Sequence, residues 1–148
     1  MSDLEKIKNE LNGRWIVTIE SCTGGLLAAA LTSMAGSSRY FHHGYVTYAN
    51  EAKIALGVSA DTLTAKGAVS PEVALEMARA GAATLPGPGF AIAVTGIAGP
   101  DGGSEAKPVG LVYIAINDEA REFRFKGDRD AIRAQTVDAA LDWLAALL

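Results

Sequence analysis

The stretch Phe90–Thr95 (FAIAVT) places the tightest constraint on how this chain can fold. Every position but the last is apolar. Pro86-Gly87-Pro88-Gly89 precedes the run, which empties into Gly96-Ile97-Ala98-Gly99-Pro100-Asp101-Gly102-Gly103. It is too short for a self-supporting helix and lacks the alternation of a strand with one wet face, so it reads as a strand buried on both sides. Such a strand needs a layer on each side, and the remaining segments supply helices and further strands.

Leu4, Ile7 and Leu11 recur at helical spacing and predict a helix over 3–12, followed by a strand at Trp15–Ile19. The Leu/Ala-rich segment Leu26–Met34 predicts a second helix, and residues 40–48 a second strand. Asn50 reads as the N-cap of a helix from Glu51 to Gly57, and Asp61–Lys66 as a short helix stopped by Gly67. Ser70-Pro71 is a helix start with the cap and the first-turn proline in place, and that helix runs to about Thr84. Val109–Ile116 and Glu122–Phe125 form a hairpin around Asn117-Asp118. The tail from Asp128 carries Ile132, Thr136, Ala140, Trp143 and Leu147 at helical spacing. The alternation predicts an α/β fold: a three-layer α/β/α sandwich with a mixed sheet, formed as one domain over residues 1–148.

Charge and cysteine content narrow the function. With 13 Lys and Arg against 17 Asp and Glu, the net charge of -4 excludes general polynucleotide binding, which needs clustered excess cations. Cys22 stands alone, so no intramolecular disulfide can form and a reducing, cytoplasmic setting is expected. The charged N-terminus lacks a signal-peptide core, and no apolar stretch is long enough to cross a membrane. His42 and His43 are the only histidines; as strand neighbours they are expected on opposite faces, which assembles no metal site.

In α/β sheets ligands gather beyond the carboxyl ends of strands. Four polar or glycine-rich segments fall there: Ser21–Gly25, Tyr48–Lys53, Thr95–Gly103 and Gly127–Arg133. Ser21 reads either as a helix N-cap or as an exposed nucleophile beside free backbone N–H groups, and Gly24-Gly25 would let a phosphate or carbonyl approach. Lys53 falls in the first turn of its helix, where the macrodipole disfavours an ammonium. It reads either as a solvated lysine or as one kept neutral to take a proton from a hydroxyl; Tyr48 reads either as a neighbour that relays or orients that proton or as a packing tyrosine with its hydroxyl at the rim. The loop 95–103 lacks both the Walker A lysine and the dinucleotide glycine spacing, yet its glycines can present N–H groups to an anion. Arg129 follows the cap Asp128 and needs an anionic partner, either Asp130 or a substrate phosphate clamped by Arg129 or Arg133. Cys22 is the rival nucleophile, ranked below Ser21 for want of a histidine partner.

Taken in order, ESCTGG (20–25), GYVTYANEAK (44–53), GAVS (67–70), TGIAGPDGG (95–103), KPVG (107–110) and GDRDAIR (127–133) strongly resemble the CinA C-terminal domain family over nearly the whole chain. That family includes stand-alone nicotinamide-nucleotide amidohydrolases of the PncC type, and this chain resembles that form. Its one departure is Ile19, where the family tends to have alanine.

The resemblance implies hydrolysis of the carboxamide of nicotinamide mononucleotide to nicotinate mononucleotide and ammonia, in pyridine-nucleotide recycling, with no metal or organic cofactor. It assigns the nucleophile to Ser21, the base to Lys53 and an assisting role to Tyr48. Thr23 and Gly24 would supply oxyanion donors. Substrate contacts fall on Thr23, Gly24, Gly25, Asn50, Thr95, Gly96, Gly99 and Gly102, with Arg129 preferred over Arg133 for the phosphate. A homodimer is expected. The competing expectation is a non-catalytic module that binds a pyridine nucleotide in a competence or damage response.

Overall fold

A computed structural model describes residues 1–148. Helix α1 (Asp3–Glu10) leads into β1 (Trp15–Glu20), α2 (Leu26–Leu31), a 3-10 turn at Ser37–Arg39 and β2 (Phe41–Val46). Helices α3 (Asn50–Leu56), α4 (Ala60–Lys66) and α5 (Pro71–Ala82) precede β3 (Gly89–Gly96), β4 (Leu111–Ile116), β5 (Glu119–Arg124) and α6 (Arg129–Ala146). The strands form one sheet in the order β2-β1-β3-β4-β5. β1 runs parallel to β2 and β3, and β4 runs antiparallel to β3 and β5. The sheet is mixed, as expected.

The apolar run occupies the middle strand, β3, and residues 91–95 are buried. Alternation along the strands divides the core. Ile16, Ile92, Val94, Val112 and Ile114 pack against Ile7, Leu27, Ile132 and Leu144 of α1, α2 and α6. Val17, Ile19, Ala91, Ala93 and Ala115 face Val73, Ala74, Met77 and Ala78 of α5. Small side chains let α5 sit close to the sheet: a Cβ on Gly81 would lie 2.2 Å from Ile19 Cδ1. The result is the three-layer α/β/α sandwich, with α1, α2 and α6 on one face and α5 on the other.

Several local expectations change. Helix α2 stops at Leu31 rather than Met34, because the hydroxyls of Thr32 and Ser33 bond back to the carbonyls of Ala28, Ala29 and Ala30. Asn50 is the first residue of α3, and Ala49 holds the cap position without a side-chain bond. Strand β2 ends at Val46, so Tyr48 belongs to the connection and Lys53 lies midway along a seven-residue helix. β5 begins at Glu119 rather than Glu122, across a two-residue turn that Asn117 holds against β3: its Oδ1 accepts from Ala91 N (2.9 Å).

His42 and His43 do not face apart. The β1–β2 register skips His42, and this bulge brings the two Nδ1 atoms to 2.6 Å. Asp128 and Ser70 cap α6 and α5 as predicted, accepting from Ala131 N and Val73 N. No helix is long and apolar enough to cross a membrane.

Candidate active site

β1, β2 and β3 run parallel, so their carboxyl ends converge on one rim of the sheet, where a pocket of about 290 Å³ opens. Its wall combines the turn after β1, the β2–α3 connection, the loop after β3, and the start of α6.

At its floor lies a lysine with unusual surroundings. Lys53 is 1% exposed, and Nζ lies 2.9 Å from Ser21 Oγ, 2.7 Å from the Thr47 carbonyl and 3.0 Å from the Tyr48 carbonyl. No carboxylate pairs with it. Burial therefore pulls its pKa below the ordinary lysine value, only partly opposed by Cys22. A neutral amine has two N–H donors and one lone pair. In that neutral form the two carbonyls would take the donors and leave the lone pair to the Ser21 hydroxyl.

Ser21 is not a helix cap. Its N–H continues the sheet by donating to Val94 O (3.0 Å), its carbonyl accepts from Gly24 N (3.1 Å), and Gly25 holds the cap position of α2 with a φ of 106°. Glu20, to which the sequence reading assigned no role, does that work instead. It is fully buried, and its carboxylate accepts from Thr23 Oγ1 (2.6 Å), Leu27 N (2.8 Å) and Ala28 N (3.0 Å).

The predicted substrate-contacting residues separate into two groups. Thr95, Gly96, Gly99, Gly102 and Arg129 line the pocket with Ser21, Lys53 and Tyr48. Thr23, Gly24, Gly25, Asn50 and Arg133 do not. Thr23 is fully buried on Glu20, and the Gly24 N–H is consumed by Ser21, so it is no oxyanion donor. Arg133 braces the turn from behind, through Nε to the Cys22 carbonyl (3.1 Å) and Nη2 to the Thr23 carbonyl (3.2 Å). Arg129 instead reaches across the pocket, through Nη1 to the Gly99 carbonyl (2.8 Å) and Nη2 to the Tyr48 hydroxyl (3.0 Å). Tyr48 thus presents its carbonyl, not its hydroxyl, to Lys53, which removes the predicted phenolic relay.

Several lining groups escaped the sequence reading of individual side chains. Ala68 and Val69 form one wall, and Thr95 Oγ1 donates to the Ala68 carbonyl (2.8 Å). The signal was present in the GAVS segment. The N–H groups of Cys22, Ala98 and Gly99 donate to no protein acceptor, although all three residues are buried and line the pocket. Buried backbone donors are rarely left unpaired, so these amides are suited to a bound carbonyl or anion. Cys22 itself is a poor nucleophile, because burial pushes its thiol up to about 11.

The fold and site define an α/β/α sandwich with a buried serine–lysine pair at the carboxyl ends of parallel strands. The CinA C-terminal domain pattern matches residues 4–148, and the chain belongs to that family. A CinA-like protein of Geobacter sulfurreducens is 57% identical over 137 residues, covering 89% of this chain but 33% of the relative. The chain thus spans about a third of such relatives. A protein of Pseudomonas putida named nicotinamide-nucleotide amidohydrolase PncC is 53% identical, covering 89% of this chain and 85% of that protein. Among solved structures, the competence/damage inducible protein CihA from Agrobacterium tumefaciens superposes with a TM-score of 0.91 at 46% identity, covering 99% of this chain and 96% of that one.

Proposed function

We propose that this chain is an amidohydrolase that converts nicotinamide mononucleotide to nicotinate mononucleotide and ammonia, serving pyridine-nucleotide recycling. The observation that carries the reading is the contact between Lys53 Nζ and Ser21 Oγ, made by an amine whose other hydrogen bonds run to two carbonyls. Similarity to the P. putida amidohydrolase over most of both chains supports the choice of substrate.

Neutral Lys53 takes the Ser21 proton as Oγ attacks the carboxamide carbon. The developing oxyanion meets the Cys22 N–H, the unpaired amide next in sequence to the nucleophile. Collapse expels ammonia, with the leaving nitrogen taking the proton now on Lys53. Water, deprotonated by the same amine, then attacks the acyl-serine ester; Lys53 returns that proton to the departing Ser21 Oγ, and the carboxylate leaves with the free serine restored. The Arg129 guanidinium, with the Ala98 and Gly99 N–H groups as neutral donors beside it, holds the phosphate.

Ammonia release from nicotinamide mononucleotide by the purified protein tests the reading. Turnover by the wild type, abolished in Ser21→Ala and in Lys53→Met, is the expected result. No release by the wild type, or undiminished release by Ser21→Ala, would sink it.

A further inference from the structure

Glu20 is a buried carboxylate that the mechanism above does not use. We propose that it is a positioning residue that decides where the Ser21 hydroxyl points; the inference rests on the reading of Ser21 as nucleophile.

The first turn of α2 presents backbone N–H groups that need acceptors, and serine and threonine hydroxyls are preferred for that task. Ser21 and Thr23 both lie close enough in sequence to compete for it. Glu20 removes the competition by accepting from Leu27 N, Ala28 N and Thr23 Oγ1 together, leaving Ser21 Oγ to Lys53. A negative charge suits this helix end, and three donors compensate the carboxylate for its lost water.

The placement follows from strand geometry. Glu20 ends β1, and Ser21 continues its ladder through Val94, so successive side chains turn to opposite faces: Glu20 toward α2, Ser21 toward the pocket. The Glu20 carbonyl also accepts from Thr47 N (2.8 Å), and the Thr47 carbonyl in turn holds Lys53 Nζ. One residue therefore anchors both halves of the pair, by its side chain on the serine turn and by its main chain on the lysine segment. At six residues, α2 is too short to keep its first turn without such support.

Glutamine keeps the size but has one acceptor oxygen, and its NH2 would meet a backbone N–H. Glu20→Gln is expected to lower kcat for nicotinamide mononucleotide on the order of 10²-fold while KM stays within about twofold, as displacement of a nucleophile dictates. Thr23→Ser, which keeps the hydroxyl, should retain wild-type kcat. Thr23→Val should lower it, and combining Thr23→Val with Glu20→Gln should cost less than the product of the two effects. Crystal structures of Glu20→Gln and Thr23→Val supply a readout independent of turnover, in which Ser21 Oγ has moved off Lys53 Nζ. Glu20→Gln with wild-type kcat, a change in KM alone, or an unmoved Ser21 would overturn the proposal; should Glu20→Gln not fold, Thr23→Val carries the same test. A wild type that releases no ammonia defeats the amidohydrolase reading instead, and the Ser21–Lys53 separation in the variants still decides the role of Glu20.

Discussion

The phenolic oxygen of Tyr48 accepts a hydrogen bond from Nη2 of Arg129, 81 residues further along the chain, at 3.0 Å. Because Nη1 of the same guanidinium donates to the Gly99 carbonyl, three separate segments are tied across the mouth of the pocket. A planar guanidinium holds two acceptors through separate, rigidly spaced nitrogens and keeps further N–H donors for an anion; the single nitrogen of an ammonium does not reproduce that spacing.

Arg129→Lys is therefore expected to raise KM for nicotinamide mononucleotide by about tenfold with little change in kcat, through loss of a charge-assisted, geometrically fixed contact. Tyr48→Phe frees one arm of the guanidinium and should raise KM by a smaller factor, with kcat within about threefold of wild type because Lys53 uses the Tyr48 carbonyl. Steady-state kinetics on both variants checks this. A collapse of kcat in Tyr48→Phe comparable to that in Lys53→Met would restore a proton-relay role to the phenol.

Arg133 should behave oppositely. Its hydrogen bonds run to the Cys22 and Thr23 carbonyls behind Ser21, so Arg133→Met is expected to destabilise the fold by roughly 1–3 kcal/mol. Its kinetic defect should appear in kcat, not KM, since the turn that carries Ser21 loosens. Urea denaturation together with kinetics separates the two arginines.

The activity should rise with pH through the ionisation of Lys53. Burial lowers the pKa of this group below 10.5, and only the neutral amine can take the serine proton, so kcat/KM must have an ascending limb centred below that value. Stability moves in the same direction. Between the lowered pKa and 10.5 the unfolded chain binds the Lys53 proton and the folded chain does not, so stability climbs as pH rises through that window. The urea midpoint of Lys53→Met should lose this slope.

Two glycines of the same loop should differ on substitution by alanine. Both have positive φ, 79° at Gly99 and 88° at Gly102, which costs about 1 kcal/mol for alanine at either site. At Gly99 the new Cβ would also lie 2.5 Å from Val109 Cγ1, whereas at Gly102 the nearest neighbour is Ile97 Cγ2 at 3.9 Å. Gly99→Ala should thus lower Tm clearly more than Gly102→Ala and raise KM as its amide shifts. Equal melting temperatures would contradict the close approach of Val109.

Much of the fold was legible because its signals are local. FAIAVT is the central strand, Ser70-Pro71 and Asp128 start the helices they mark, and Asn117-Asp118 turns the hairpin. Errors fell where a local preference met a tertiary partner. Ser21 has every property of a cap, but Glu20 already fills that role. Asn50 also looks like a cap, yet the helix takes it in as its first residue. The histidines appeared separated by strand alternation until a bulge against β1 brought them together.

Sequence alone determined the layers and the positions of most turns, because hydrophobic period and cap chemistry are encoded within a few neighbours; read by themselves, Ser21 and Lys53 each kept two roles open, and only the family resemblance singled them out. Tertiary structure alone decided which groups meet. Arg129 and Arg133 lie four residues apart on one helix and are locally equivalent cations; packing of α6 against the sheet sends the first across the pocket and the second beneath the Ser21 turn. Those contacts span 30 to 111 residues of chain, and the distances that select them exist only once the layers have closed.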